Sequence, residues 1–406
     1  MIYNRVFISI TLLLGSLLLG AQENNSSPYS CFGIGDINYG ETGRTSGMAS
    51  TGISLSGRTF LNIANPASLT ALDTNTFILD LTGSARGSLF TSGSDVQKTF
   101  SANFTRITMG LHLTPRWSSA FSLQPYSTVS YSSEYDEYVE GSEMTTQTLY
   151  EGSGGVTRLS SVNSFALTGK LSVGADVMLL FGNIDRNVSQ GGITVNQNST
   201  GVAISFVAGL LYNDRLSDNL SFSAGLTYGH SGKLNFDNSI TILDASGSTV
   251  FYDALSSSSI VVPRSLGAGI SLTGRRILVA ADYRYQKWSL AKDHLSGFSF
   301  TDTHKFSTGI AFVPSRAASR SYLNKIEYQA GFSVANSYLT FKNVNPLNLE
   351  ITTGAGLPLR NGSQINMGLS WGKMGTVNEG LVRENFVRFT LGLSLTERMF
   401  LKRMYD

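Results

Sequence analysis

The sequence predicts an all-β protein, a transmembrane antiparallel β-barrel of about 14 strands with an amino-terminal plug in its lumen. Three observations carry that reading. Apolar and small polar residues alternate along segment after segment. No apolar run after residue 21 is long enough for a spanning helix. The breaks between segments alternate between short and long.

The alternation is clearest in Leu171, Val173, Ala175, Val177, Leu179 and Phe181, which interleave with Ser172, Gly174 and Asp176. Leu220, Phe222, Ala224, Leu226 and Tyr228 repeat it, as do Leu266 to Leu272, Ile277 to Tyr285 and Val387 to Leu395. Successive side chains of a strand point to opposite faces, so each segment has one apolar and one small polar face. A half-buried soluble sheet has the same pattern, and the spacing of the breaks decides between them. Short turns fall at Pro115-Arg116, Gly169-Lys170 and Gly274-Arg275, and longer loops at 91–102, 132–147, 185–197, 237–259 and 291–302. Short periplasmic turns opposite long external loops are the habit of outer-membrane barrels. That parity requires residues 148–168 to be one strand, with Gly152, Gly154 and Gly155 marking a bend or kink inside it. A true turn there would give about 15 strands and reverse the topology downstream.

Composition agrees. Charged residues are 14% and hydrophobic residues 41%, with 42 glycines. Soluble proteins carry roughly 25% charge, whereas a barrel wall needs apolar residues toward lipid and small polar ones toward a crowded lumen. The net charge of +2 gives no field to recruit nucleic acid. A single cysteine, Cys31, excludes an intramolecular disulfide framework.

Residues 1–21 read as a signal peptide. Arg5 supplies the basic start, Val6 to Leu19 the apolar stretch, and Gly20-Ala21 the small residues before a cut at Gln22. The run is shorter than the ~20 apolar residues of a spanning helix. Residues 22–72 do not alternate, and their apolar members (Phe32, Ile34, Ile53, Leu55, Phe60, Leu61 and Ile63) favour a packed plug over a disordered tail. The barrel is expected over 73–397 and a periplasmic tail over 398–406. The destination is the outer membrane of a Gram-negative cell.

Asn65-Pro66-Ala67, Ser27-Pro-Tyr-Ser-Cys-Phe-Gly-Ile-Gly-Asp36 and the closing Glu397-Arg-Met-Phe-Leu-Lys-Arg-Met-Tyr-Asp406 together resemble the FadL/TodX family of outer-membrane transport proteins. The resemblance implies a barrel with an amino-terminal hatch that carries Asn65, Pro66 and Ala67. It implies transport of hydrophobic small molecules such as long-chain fatty acids, with ligand leaving sideways at a strand kink. Gly152, Gly154 and Gly155 are the candidate kink, one strand later than the family's own. The family also contains accessory barrels of secretion or assembly complexes, so a non-transporting role beside envelope protein partners stays open.

The inward face is predicted to hold Asp80, Arg86, Asp176, Asp282, Arg284, Glu327 and Arg388, because Arg or Lys facing lipid at the midplane costs about 2–4 kcal/mol. These charges read as ion pairs between plug and wall or as a polar lining along a transport path. The histidines (His112, His230, His294 and His304) lack metal-ligand spacing. Gly229-His230-Ser231-Gly232 lacks the final glycine of a nucleophile elbow. Glu134, Asp136, Glu137, Glu140 and Glu143 form a loose acidic loop that reads as solvated rather than as a cation site. No enzyme activity, metal or cofactor is expected. The expected partners are outer-membrane lipid and a hydrophobic ligand, with no nucleic acid.

Overall fold

The computed structural model describes residues 27–38, 43–138, 145–291, 298–315, 321–359 and 362–398. The expected signal peptide and nearly all of the expected tail lie outside them.

A short strand of the plug, β1 (Asp36–Ile37), precedes the wall. The wall begins with β2 (Thr76–Ser92), β3 (Asp95–Thr114), β4 (Trp117–Thr128), β5 (Tyr131–Tyr138) and β6 (Thr145–Ala166). It continues through β7 (Leu171–Gln190), β8 (Ile193–Ser217), β9 (Leu220–Gly229), β10 (Gly232–Leu243), β11 (Thr249–Val262) and β12 (Arg264–Thr273). Then follow β13 (Ile277–Lys287), β14 (Ser299–Phe300), β15 (Thr303–Phe312), β16 (Glu327–Asn336) and β17 (Leu339–Thr340). The last are β18 (Leu347–Pro358), β19 (Gln364–Met374) and β20 (Arg383–Arg398).

Three pairs, β4 with β5, β9 with β10 and β11 with β12, are single wall strands interrupted at Val129–Ser130, His230–Ser231 and Pro263. Counted so, the wall is a closed antiparallel barrel of 14 strands. The ends meet along β2 and β20, paired from Thr76 with Arg398 to Thr91 with Arg383. In a membrane every backbone polar group needs a partner, and closing the first strand onto the last supplies it at what would otherwise be two free edges. The alternation read from sequence is the register of the wall: Leu266, Ile270 and Leu272 are exposed on the outer surface, while Ser271 is buried.

The long loops are corrected. Residues 91–102 are the ends of β2 and β3 joined at Gly93-Ser94, and 185–197 are the ends of β7 and β8 joined at Gly191-Gly192. Most of 237–259 belongs to β10 and β11, and the acidic loop starts as strand, with Glu134 and Asp136 on β5. Glu140 and Glu143 lie outside the described residues. Apolar and polar residues do not alternate over these outer halves for long enough to make a strand visible in sequence.

Candidate functional site

Among its described residues the plug has three short 3-10 helices, Pro28–Cys31, Gly43–Met48 and Pro66–Ala71, and the last two wind around the inside of the wall with the irregular chain between them. Its close approach depends on glycines facing inward from successive strands. A methyl group at Gly209 would stand 2.2 Å from Asn65 Oδ1, and one at Gly174 2.4 Å from the carbonyl carbon of Pro66. One at Gly225 would stand 2.1 Å from the Ile53 carbonyl oxygen, and one at Gly331 2.5 Å from the carbonyl carbon of Met48. Gly354, Gly368 and Gly392 meet Gly47, Ser46 and Gly43 in the same way. Part of the abundant glycine is thus a belt around the lumen, where the plug rests directly on wall backbone.

Asn65, Pro66 and Ala67 sit in that belt. The Asn65 carboxamide oxygen accepts from Ala67 N at 3.0 Å and caps the helix that Pro66 opens. Its nitrogen donates to the carbonyls of Ile53 (2.9 Å) and Leu210 (3.0 Å). Pro66 lacks the N–H that a first helical residue leaves unpaired, so it fits there without cost.

The seven predicted charges divide into two groups by what lies against them. Asp282 accepts from the backbone N–H groups of Gly52 (2.6 Å) and Ile53 (2.9 Å). Arg284 lies two residues further on the same face of β13. Glu327 meets Arg44 of the plug at 3.7 Å. Asp80 pairs with Arg106 at 3.6 Å, both fully buried, and Asp176 pairs with Arg158. This group anchors the plug or stiffens the wall beside it. The second group lines open space: Arg86 binds Glu384 at 2.7 Å, and Arg388 binds Glu350. Phe386 lies between these two arginines, its ring centroid 3.9 Å from the Arg86 guanidinium carbon and 5.8 Å from that of Arg388.

That space is a chamber of about 590 Å³ above the plug. Arg86, Lys305, Arg388, Glu350, Glu384 and Asp36 give it a charged side and Val156 an apolar one, with Phe104 and Phe181, both exposed, at its margin. Burial, then the charge of Glu384, pushes the Asp36 carboxyl up to about 7, against the pull of Arg86. Toward the outside the lumen is roofed by aromatic packing. Phe32 meets Phe341 at 5.0 Å and Phe298 at 5.2 Å, and Trp288 meets Tyr338 at 4.7 Å. Tyr338 fastens the roof to the plug by donating to the Gly35 carbonyl at 2.6 Å.

The chamber is open sideways. Pairing between β3 and β4 runs from Thr114 with Trp117 to Ile107 with Leu123 and stops there. Above that point, among the described residues, β3 pairs only with β2, and β5 only with β6. Ser101, Asn103, Gln124 and Pro125 line both this gap and the chamber. The wall strand bends away at Val129–Ser130, and the inner strand β1 pairs with Thr128 and Ser127 at the bend.

The kink is therefore shared between two strands. Gly152, Gly154 and Gly155 lie on β6, the fourth wall strand, as the sequence placed them. The break itself is on the third, opposite them. Gly154 and Gly155 have φ of +101° and +142°, and a side chain at Gly155 would strike the Ser127 carbonyl oxygen at 2.3 Å. The sequence missed the break because Val129 and Ser130 carry no turn residue. It missed Glu350, Glu384, Arg106 and Arg158 because each pairs with a residue of another strand, and which strands lie near one another is not written in any one of them. Among the described residues no cluster of His, Cys, Asp and Glu has metal-holding geometry.

A plugged, closed barrel of 14 strands with a break in its wall defines the class: an outer-membrane β-barrel of FadL-like architecture. The chain belongs to the BamG family of outer-membrane barrels, whose model matches residues 1–406. No curated protein sequence matches the chain. Among solved structures it is similar to a Pseudomonas aeruginosa FadL homologue, with a TM-score of 0.60 and 13% identity over 90% of this chain and 100% of that one. It is similar to the Pseudomonas putida toluene transporter TodX, with a TM-score of 0.58 and 18% identity over 89% and 99%. The Ralstonia pickettii toluene transporter TbuX matches with a TM-score of 0.53 and 15% identity over 89% and 99%.

Proposed function

We propose that this barrel passes small molecules with a hydrophobic body and a polar end between its chamber and the outer membrane, through the gap beside β3. The observation that supports it is the path. The plug fills the lumen below the chamber, aromatic packing roofs it, and the wall is open at one side. Long-chain fatty-acid-like molecules suit the lining, with the carboxylate against Arg86, Lys305 and Arg388 and the chain along Phe104, Val156 and Phe181. On this reading Gly152, Gly154 and Gly155 hold the gap's edge open, and Asn65, Pro66 and Ala67 hold the hatch beneath it. The toluene transporters of the same fold are consistent with a hydrophobic cargo.

The test is mass spectrometry of lipid retained by the barrel after mild extraction from native membranes. Parent protein is expected to retain a fatty-acid-like ligand, and Arg388→Gln to retain about tenfold less, as loss of a charge-assisted hydrogen bond implies. Equal retention by both, or none by either, would remove the chamber from the path. A second reading, a non-transporting accessory barrel in an envelope complex, is favoured by one observation on the external side, the edge of β11 that has no strand partner among the described residues.

A further inference from the structure

Outer-membrane strands need about 9–11 residues to cross the bilayer. β12 supplies that length in Arg264–Thr273, so β11 above it stands outside the membrane. β11 is 14 residues long and, among the described residues, pairs only with β10. Its neighbour in the wall, β13, ends at Lys287, opposite Arg264 at the start of β12. Among the described residues only the base of β11 is covered, where Ile260 packs under the aromatic roof. Two register irregularities bracket a regular run from Phe251 to Leu255.

Natural sheets blunt such edges with lysine, proline or short length. From Thr249 to Val262 there is no Lys, Arg or Pro. Large apolar side chains lie open instead: Phe251 is 49% exposed, Tyr252 64% and Leu255 39%. Beyond Lys233 at its foot the hairpin is acidic, its charged residues from Leu234 to Pro263 being Asp237, Asp244 and Asp253.

We propose that the edge of β11 from Phe251 to Leu255 is a docking strand for an extended segment of another envelope protein. That segment carries apolar side chains flanking a Lys or Arg that faces Asp253. Main-chain hydrogen bonds give affinity in strand addition, and alternate side chains give specificity. A second copy of this chain does not fit. Both copies sit in one membrane with the same side outward, so their β11 strands run the same way, and each brings a carboxylate at Asp253. The anionic surface of the outer leaflet meets the same repulsion.

The test uses the full-length protein in its native cell, with a photo-crosslinking amino acid at position 252. The expected result is an adduct with one envelope protein, mapping to one extended stretch that contains a Lys or Arg. Asp253→Lys, in a barrel that still assembles as judged by its heat-modifiable mobility, is expected to cut that adduct at least tenfold. No adduct, adducts confined to lipopolysaccharide or to copies of this chain, or an adduct indifferent to Asp253→Lys would each overturn the proposal. Ligand retention in the chamber is read separately, so this proposal and the transport reading fail independently.

Discussion

Asn65 of the plug donates through its side-chain nitrogen to the carbonyl oxygen of Leu210 in the wall, 3.0 Å away. The same side chain caps Pro66–Ala71 and ties down Ile53, so one residue joins two turns of the plug to the barrel.

Asn65→Ala removes all three contacts and leaves buried carbonyls without a donor. A lost cap costs about 0.5–2 kcal/mol and a buried unsatisfied group about 1–3 kcal/mol. The variant is expected to unfold at a lower temperature in detergent, read from the heat-modifiable band on a gel. An unchanged midpoint would mean that Asn65 does not anchor the plug.

Gly209→Ala and Gly87→Ala separate the belt from the rest of the wall. A methyl at Gly209 would overlap Asn65, whereas one at Gly87 meets nothing within 4 Å. Gly209→Ala is expected to unseat the plug and admit large hydrophilic antibiotics, while Gly87→Ala leaves sensitivity as it was. Equal sensitivity of the two strains would contradict the seating described here.

Asp36 gives the barrel a pH response. Its carboxyl holds a proton up to about 7 in the folded protein, mainly because of burial and then because of Glu384. The unfolded chain releases that proton near 4. The protonated group therefore favours folding below about 4, and the contribution is lost as pH rises through about 7. Asp36→Asn is expected to gain on the parent at pH 8 and to lose that advantage at pH 4. The effect is at most a few kcal/mol, at about 1.4 kcal/mol per pH unit. Parallel melting curves for the two proteins across this range would refute the assignment.

Ile270→Arg and Val250→Arg locate the membrane. Ile270 is exposed on β12, within the crossing length, and Val250 is exposed on β11, above it. A buried guanidinium near the midplane costs about 2–4 kcal/mol. Ile270→Arg is expected to reduce assembled barrel in outer-membrane fractions, and Val250→Arg to leave its amount unchanged. A comparable loss in both would place β11 in lipid.

The parts of the fold legible in the sequence are those that lipid shapes. Leu171 to Phe181 and Val387 to Leu395 alternate because one face meets hydrocarbon and the other meets the plug. The inward charges followed from the same register. The outer ends of β2, β3, β7, β8, β10 and β11 meet water on both faces, so nothing selects alternation there, and they read as loops. Within the candidate site, Arg86 and Arg388 were found because they lie inward on regular strands. The gap was not placed, since a missing ladder between β3 and β5 is a property of two segments and neither records it alone.

The glycine belt bears on how this protein can change. The glycines of the belt are matched to particular stretches of the plug, as Gly209 is to Asn65, Gly331 to Met48 and Gly392 to Gly43. A hatch transplanted from a relative with different spacing would meet the wrong gaps, and a wall transplanted without its hatch would keep hollows that no side chain fills. The two halves are therefore inherited as one, and any drift in the amino-terminal segment must be answered, strand by strand, in the wall around it.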